Sequence, residues 1–353
     1  MSPVLPPPAE AQLSFLAKLQ RLFAEGDFTA TYKFALLIVL ADLAVELGQD
    51  DGSELTLSTR QLGERFIDLY WRHVLPYSRG SADAGNGVLA QNNGAQSAVI
   101  SAIVEFRARV PAASAQVAAR HPTYAALLSA VTQTVSAQPL TYLQNFGGGT
   151  HEFLYDRPAP GRVRLKAGVM YCLRRFQPLV QQIARSHWVD HVKANRRNHD
   201  ILGDAGDLEE FLFSTSRQSL TAMGQGLRRL EGASCFYCGT GMTSVDVDHF
   251  IPFAHYPRDI AHNFVLAHPT CNRSKSDMLA AKKHLGRWLE RLEHRADDLT
   301  ELGVQAGLVT GAAVCRRVAS WGYSTGFASG GAAWVAPGSF EPIDTSYIDC
   351  FAL

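Results

Sequence analysis

The chain has 353 residues, of which 46% are hydrophobic and 19% are charged, a composition typical of a globular protein with a substantial core. Its longest apolar run, near Phe34–Leu40, is far shorter than the roughly 20 residues that a membrane helix needs, and the N-terminus lacks the basic and apolar regions of a signal peptide. We therefore expect a cytoplasmic protein that does not bind membranes and whose six cysteines form no disulfide framework.

The net charge of zero conceals an uneven distribution of charge along the chain. Residues 1–156 carry 10 Lys/Arg against 14 Asp/Glu, residues 157–295 carry 21 against 13, and residues 296–353 carry 2 against 6. The net charges are therefore −4, +8 and −4. A basic middle between acidic ends favours a protein that meets phosphate in one region, although a chance fluctuation on a mixed surface would give the same pattern.

The N-terminal part of the chain is predicted to be helical after a Pro-rich tail over residues 1–12. Apolar residues recur with helical spacing in several stretches, which are residues 13–24, 30–47, 58–75 and 95–136, the last divided at Pro111 and Pro122. Ser58 is a predicted N-cap, and the short strand LTL comes directly before it. This segment is therefore either part of a winged-helix DNA reader or a plain helical scaffold.

The sequence pattern changes after residue 138. LTYLQ, EFLYD and RVRLKAGV have the composition of short strands, joined by turns at GGGT and RPAPG, and a Gly/Asn/Ser-rich loop over residues 78–94 lies further upstream. GGGT lacks the Lys-Ser/Thr of a phosphate loop, so it predicts a turn only. A long basic helix with a kink at Pro178 and two shorter helices, DLEEFLF and SRQSLTAMGQGLRRL, then lead towards Cys235.

Four residues that commonly bind metals follow in two pairs, Cys235-x-x-Cys238 and His268-x-x-Cys271. A lone Cys-x-x-Cys is often a packed or redox-active pair. Two pairs of thiolate and imidazole ligands instead match a closed tetrahedral zinc site. The predicted zinc is structural, because four protein ligands leave no open position for a substrate.

Between the two pairs lies the segment VDVDHFIP, in which apolar and acidic residues alternate as in a strand. Asp248 and His249 stand together at its end. An isolated Asp-His pair is usually an ordinary surface feature. Here Asn263 and Asn272 accompany it, and metal-assisted phosphodiester hydrolysis needs an oxygen ligand for Mg²⁺ and a neutral imidazole that takes a proton from water.

Together these residues resemble the HNH nuclease family in the zinc-knuckle version of its ββα-metal fold. DVDHFIP is similar to the motif in the HNH domains of CRISPR-type nucleases, and CNRSK is similar to the two-knuckle version of many bacterial and phage enzymes. The resemblance covers about residues 233–280, and a weaker likeness extends over more of the chain to bacterial HNH endonucleases. The sequence departs from the family at Asn272, where His is usual, and at His268, where Cys is usual.

The resemblance implies a role for each residue of the motif. His249 would be the general base that activates water. Asp248 and Asn272 would hold one catalytic Mg²⁺ or Mn²⁺, and Asn263 would fix the loop that orients His249. These roles are carried over residue by residue from the family pattern.

Further residues are predicted to lie near the substrate. Arg273 and Lys275 would steady the phosphate backbone, and Asp246 either assists Asp248 at the metal or is a solvated strand position. The downstream helix has basic residues that form either a DNA-facing stripe or a solvated face, namely Lys282, Lys283, Arg287, Arg291 and Arg295.

The sequence thus predicts a mainly α (α+β) chain. It would comprise a helical N-terminal domain (1–140), a mixed β/helical basic segment (141–230), an HNH nuclease domain (231–295) and a helical C-terminal extension (296–353). The expected function is metal-dependent cleavage or nicking of DNA in anti-phage defence or restriction, alone or with other proteins of a defence system. The alternatives are a catalytically silent zinc module that binds nucleic acid and an RNA- or structure-specific nuclease. The oligomeric state is not predicted.

Overall fold

The structure, a computed structural model, describes residues 4–77, 87–156, 159–202 and 208–352. It is mainly α with small two-stranded sheets and is 56% helical, which confirms the predicted fold class. The chain divides into two compact units, Met1–Phe213 and Ser214–Leu353. The finer division into four segments stays a prediction.

The first unit consists of helices and short strands. Its helices are α1 (Ala9–Glu25), α2 (Tyr32–Leu47), α3 (Thr59–Tyr70), α4 (Ala98–Arg109), α5 (Ala115–Ala118), α6 (Tyr124–Ala137), α7 (Pro139–Tyr142), α8 (Val169–Arg175), α9 (Gln177–Ala194), α10 (His199–Leu202) and α11 (Leu208–Phe213). Its strands are β1 (Leu55–Ser58), β2 (Asn145–Phe146), β3 (Gly149–Thr150) and β4 (Arg162–Leu165). β1 pairs antiparallel with β4, and β2 pairs antiparallel with β3.

Helix α2 lies at the centre of the first unit, where it contacts α3, α7, α8 and α9. All of its residues from Tyr32 to Glu46 are buried, which explains why its sequence has no polar face. The buried carboxylate of Asp42 accepts hydrogen bonds from Gln177 Nε2 at 3.0 Å and from Gln181 Nε2 at 2.7 Å. These bonds satisfy a charge that would otherwise be costly inside the core.

The first helices follow the predicted pattern, including the Ser58 cap, and differ from it in the start of α1 and in the pairing of β1. α1 begins at Ala9, directly after Pro8, so the predicted loose tail is shorter than expected. α3 begins after Ser58, whose hydroxyl accepts from Gln61 N while the Gln61 side chain accepts from Ser58 N. β1, the strand of the winged-helix alternative, pairs with the distant β4 rather than with a neighbouring wing strand.

The predicted strands of the middle region are partly wrong. LTYLQ does not form a strand, because Pro139 begins α7, and proline at the first helical position favours a helix. EFLYD contributes only an isolated bridge between Tyr155 and Leu165, and RVRL alone forms a strand, β4. The predicted kink appears as a break between α8 and α9, with Pro178 in the first turn of α9.

The GGGT turn lies in the β2–β3 hairpin. Gly147 and Gly148 have φ angles of +59° and +78°, which glycine adopts without strain. The predicted loop over residues 78–94 and the RPAPG turn fall partly on residues 78–86 and 157–158, which lie outside the described residues.

The second unit contains the predicted strand–strand–helix order. Its helices are α12 (Arg217–Glu231), α13 (Pro269–Lys275), α14 (Lys282–His294), α15 (Ala296–Gln305), α16 (Ala312–Ala328) and α17 (Thr345–Asp349). Its strands are β5 (Asp246–His249), β6 (Phe264–Ala267), β7 (Ala332–Ala336) and β8 (Ser339–Pro342). β5 pairs antiparallel with β6, and α13 follows β6 directly.

Two expectations about surfaces can be compared with the structure. Among residues 4–77, 87–156, 159–202 and 208–352, no helix combines the length and the apolar character that a membrane crossing requires. On the predicted basic helix, Arg174 is buried and donates to Asp50 Oδ1 at 2.9 Å and to the carbonyl of Val45 at 2.7 Å. This guanidinium therefore stabilises the first unit and is not displayed to a ligand.

The buried amide of Asn198 gives a prediction for stability. Its Oδ1 accepts from Ala90 N at 2.7 Å, and its Nδ2 donates to Ala90 O at 3.0 Å and to Val192 O at 2.9 Å. Asn198→Ala leaves these main-chain groups unsatisfied, so we expect the free energy of unfolding to fall by about 3 kcal/mol in urea denaturation. The exposed Asn93→Ala is the control, and equal losses for both variants would contradict this account.

Candidate functional site

The first pair of cysteines lies on a tight turn before β5. Cys235 N donates to Thr240 O at 2.9 Å, and Gly239 N donates to Cys235 O at 2.9 Å. Gly239 has a φ of +74°, a backbone conformation that side chains other than glycine rarely adopt. The turn allows the Cys235 and Cys238 side chains to lie on the same side of the chain.

The second pair lies at the start of α13. His268 is the N-cap, Pro269 is in the first helical turn and Cys271 follows within the helix. The Sγ of Cys238 lies 3.3 Å from His268 Nδ1, and His268 N donates to Cys235 Sγ at 3.4 Å. The ligand atoms of all four residues lie within 4.8 Å of one another.

This donor set fits a zinc ion. Tetrahedral zinc–thiolate geometry places sulfur atoms about 3.8 Å apart, so only a small contraction would close the site. His268 turns Nδ1 to the thiols, while Nε2 donates to Gly241 O at 3.2 Å, a second bond that selects the tautomer a ligand needs. Burial opposes ionisation of Cys238, but hydrogen bonds from Thr240, Cys235 and His268 lower its pKa to about 6. The four residues can thus hold zinc with no open position.

The metal-binding cluster also sets the place of Asn272, which follows Cys271 directly. Asn272 Nδ2 donates to Asp246 Oδ2 at 3.1 Å. The sequence predicted that Asn272 would join Asp248. In the structure its amide bonds to Asp246, two residues earlier, and strand alternation turns both carboxylates of β5 towards α13, so the joint metal ligation with Asp248 stays a prediction.

Asp248 is buried between the first cysteine turn and α13. Its Oδ2 accepts from Tyr237 Oη at 2.5 Å and pairs with Lys275 Nζ at 3.1 Å. Lys275 Nζ also donates to the carbonyl of His249 at 2.8 Å. Burial and the negative charge of Asp248 raise the pKa of Tyr237 well above its ordinary value, so the phenol remains protonated and donates.

Lys275 differs from its predicted role as a phosphate contact. Its side chain is 0% exposed, and its ammonium bonds to Asp248 and to the main chain of His249. Burial lowers the pKa of Lys275, and the charge of Asp248 opposes that change. The ammonium neutralises a buried carboxylate and is not presented to a surface phosphate. Arg273, on the same helix, is exposed, so its predicted substrate contact stays a prediction.

His249 lies at the end of β5 with its ring against Phe253 and Phe264, at centroid distances of 5.4 Å and 4.6 Å. Its Nε2 lies 2.5 Å from Asp259 Oδ1, and its side chain is 21% exposed. An imidazole that donates through Nε2 has its other nitrogen, Nδ1, as the proton acceptor.

The carboxylate of Asp259 is held at both oxygens. Its Oδ1 meets His249, and its Oδ2 accepts from Thr215 N at 3.2 Å. Burial by itself would raise the pKa of Asp259, but the hydrogen bond and charge of His249 and the hydrogen bonds of Thr215 outweigh it, and the pKa is lowered. Asp259 is therefore an anion in the folded protein at neutral pH.

Asn263 fixes the chain that follows His249. Its Nδ2 donates to Ile251 O at 2.8 Å, and its Oδ1 accepts from Ile251 N at 2.8 Å. The carbonyl of Asn263 also accepts from Phe250 N at 2.8 Å. The residue directly before β6 is thereby bonded to both residues that come directly after His249.

Sequence reasoning missed Tyr237, Asp259 and Thr215. Tyr237 lies inside Cys235-x-x-Cys238, where its aromatic ring could have indicated a packing role. Asp259 stands in an irregular loop ten residues after His249, and no periodicity singles it out. Only the folded loop brings its carboxylate to the imidazole.

The basic residues of α14 do not form one exposed stripe. Arg287 Nη2 donates to Tyr237 O at 3.1 Å, and its guanidinium lies over the Phe236 ring at 5.2 Å. Arg291 is buried and donates to Glu231 Oε1 at 2.5 Å and to Phe264 O at 3.0 Å. Arg287 thereby contacts the cysteine turn and Arg291 contacts β6. Of the five basic residues only Arg291 is buried, while Lys282, Lys283, Arg287 and Arg295 are exposed.

Comparison with known families supports the division of the chain into two units. A family model described as a domain of unknown function (DUF8808) matches residues 12–212, more than half of the chain. The chain belongs to the DUF8808 family. A second model, HNH endonuclease, matches residues 235–281, so this DUF8808 protein carries an HNH endonuclease domain with a metal-binding cluster. The domain indicates nuclease activity on nucleic acids. No curated protein and no solved structure matches the chain.

The metal-binding cluster gives the first prediction for this site. Cys235→Ser replaces a thiolate by a weak ligand, so we expect loss of zinc by elemental analysis and a lower thermal midpoint, because binding and folding of such a module are coupled. The matched control is Cys350→Ser, since Cys350 lies outside the cluster and serine keeps a donor for Ser346 O. Wild-type zinc content in Cys235→Ser would exclude the assignment.

The buried pair Lys275–Asp248 gives the second prediction. Lys275→Met leaves the Asp248 carboxylate buried without its cation, and we expect the free energy of unfolding to fall by about 3 kcal/mol. Arg273→Met, two residues earlier on the same helix and exposed, is the control and should cost less than about 0.5 kcal/mol. An unchanged stability of Lys275→Met, with weaker nucleic-acid binding, would restore the predicted phosphate contact.

Proposed function

We propose that this protein is a metal-dependent DNA endonuclease that hydrolyses phosphodiester bonds at the β5–β6–α13 site. One observation carries the proposal: the imidazole of His249 stands at the end of a strand whose Asp246 accepts from an asparagine on a helix that follows the cysteine–histidine cluster. A base and a set of oxygen ligands are the two requirements of metal-assisted hydrolysis.

His249 is the proposed general base. Because Nε2 is bonded to a carboxylate, Nδ1 is the atom that takes a proton from the attacking water. The bonds of Asn263 to Ile251 hold the chain after His249, and Lys275 holds its carbonyl. The main chain is therefore held at the His249 carbonyl and at the residues directly after it.

Asp246, Asp248 and Asn272 are the proposed ligands of a divalent cation. Carboxylate and amide oxygens are the donors that Mg²⁺ and Mn²⁺ prefer, and Mg²⁺ usually keeps water and substrate phosphate as its other ligands. Such a cation would stabilise the negative charge that develops on the scissile phosphate and on the leaving oxygen. Asp248 already bonds to Tyr237 and Lys275, whereas Asp246 meets Asn272, so Asp246 is included beside the predicted pair.

DNA is the proposed substrate, and the basic region over residues 157–295 together with the exposed Arg273 supports the choice of an anionic polymer. One such centre cuts one strand. The family resemblance further supports a cytoplasmic role in restriction or anti-phage defence, with other proteins of a defence system as partners. In this proposal the DUF8808 unit supplies recognition or control, and the HNH domain supplies the cut.

The proposal is tested on supercoiled plasmid with Mg²⁺ or Mn²⁺. We expect wild-type protein to produce nicked circles and His249→Ala to lose at least about 100-fold in rate, because proton transfer by a positioned base contributes at least that much. His294→Ala, which removes an exposed histidine at the end of α14, is the matched control.

Other substrates separate the remaining alternatives. Cleavage of RNA or branched DNA in place of plasmid would favour an RNA- or structure-specific nuclease. If wild type and His249→Ala behave alike on every substrate and with both metals, the nuclease proposal fails and a silent zinc module remains.

A further inference from the structure

The bond between His249 and Asp259 has the form of an orienting pair and rests on the proposed nuclease function. The carboxylate of Asp259 is 10% exposed and is bonded at both oxygens, to His249 Nε2 and to Thr215 N. A carboxylate held in this way selects the imidazole tautomer with its proton on Nε2 and fixes the ring so that Nδ1 points in one direction. Asp259 would thus act through His249 rather than on the substrate.

The donor to Asp259 occupies a special place in the chain. The first unit ends at Phe213 and the second begins at Ser214, so Thr215 is the second residue of the nuclease unit. The residue that holds the orienting carboxylate therefore belongs to the covalent connection between the two units.

The last residue of the first unit is anchored in that unit. The ring of Phe213 packs edge-on against Trp188 at 5.4 Å and against His73 at 6.1 Å, with the guanidinium of Arg185 over its face at 4.9 Å. The preceding carbonyl, that of Leu212, is bonded to His73 Nε2 at 2.8 Å.

Ser214 is the single residue between these two attachments. Consecutive Cα atoms are 3.8 Å apart, so the Cα atoms of Phe213 and Thr215 are separated by at most about 7.6 Å. A connection of this length has little slack. A shift of Phe213 that the dihedral angles of Ser214 do not absorb reaches Thr215, and with it the carboxylate that holds His249.

We propose that Asp259 is a positioning residue for His249 and that the Ser214 connection makes this position depend on the packing of the DUF8808 unit. The nuclease base is thereby regulated through the chain itself. A change that loosens Phe213 in its pocket lowers the rate of cleavage without altering the ligands of either metal.

The first part of the test concerns Asp259 in the full-length protein. We expect Asp259→Asn and Asp259→Ala to lower kcat for plasmid nicking roughly 10- to 100-fold while KM stays within about twofold, and Asp259→Glu to recover part of the loss. Zinc content and circular dichroism are measured on the same samples. Asn has the shape of Asp, so it reports on the carboxylate even if the alanine variant does not fold.

The second part is a cycle that combines Phe213→Ala with a Gly-Ser-Gly insertion after Ser214. In the protein with the native connection we expect Phe213→Ala to lower kcat about tenfold. In the protein with the lengthened connection we expect Phe213→Ala to change kcat less than about twofold, because the added flexible residues remove the coupling. Phe106→Ala, which removes a buried ring of the same unit that packs on Trp71 and Tyr124, is the control and leaves kcat unchanged. The same insertion at Gly338, in the turn between β7 and β8, controls for added length.

The outcomes separate the two proposals. If wild type nicks plasmid and the Asp259→Asn protein matches it, the positioning role is wrong while the nuclease function stands. If Phe213→Ala has the same effect with and without the insertion, the coupling is wrong. If wild type cleaves nothing with Mg²⁺ or Mn²⁺ while His249→Ala is equally inert, the proposed function itself has failed, and this inference with it.

Discussion

The nuclease unit depends on one constraint, which is that its two pairs of candidate zinc ligands come together in space. β5 and β6 have four residues each and α13 has seven, and elements this short do not persist alone in water. The cluster of Cys235, Cys238, His268 and Cys271 joins the turn before β5 to the start of α13. Binding of a metal there would contribute folding free energy directly to this module.

The consequence of that constraint is an ordered site on a small scaffold. α13 places Asn272 against Asp246 and Lys275 against Asp248. The hydroxyl of Tyr237, which lies between the two cysteines, donates to Asp248. A buried ion pair adds little net stability by itself, yet removing one partner is costly, so the pair favours one arrangement of β5 and α13. Asn263 supports the adjoining loop in the same way through its paired bonds to Ile251.

The sequence predicted what local spacing determines. Ligands three residues apart, an alternating DVDH strand and a capped helix start each follow from the chain within a few residues. Burial and loop contacts depend on distant partners, and there the prediction failed or was silent. Lys275 was predicted to contact phosphate, because the sequence does not show that Asp248 lies beside it, and Asp259 stands in a loop without a pattern. LTYLQ has the composition of a strand, but Pro139 begins a helix there.

The central claim is that one metal cluster maintains the fold while a separate divalent cation serves the chemistry. It is tested most directly by moving the full-length protein by gel filtration into buffer without divalent cations and then measuring zinc content and plasmid nicking on the same sample, before and after adding Mg²⁺. We predict that about one zinc ion per chain is retained in its closed four-ligand site, that nicking is lost, and that Mg²⁺ alone restores it. Nicking that persists without added divalent cations, or that returns only with zinc, would contradict the account.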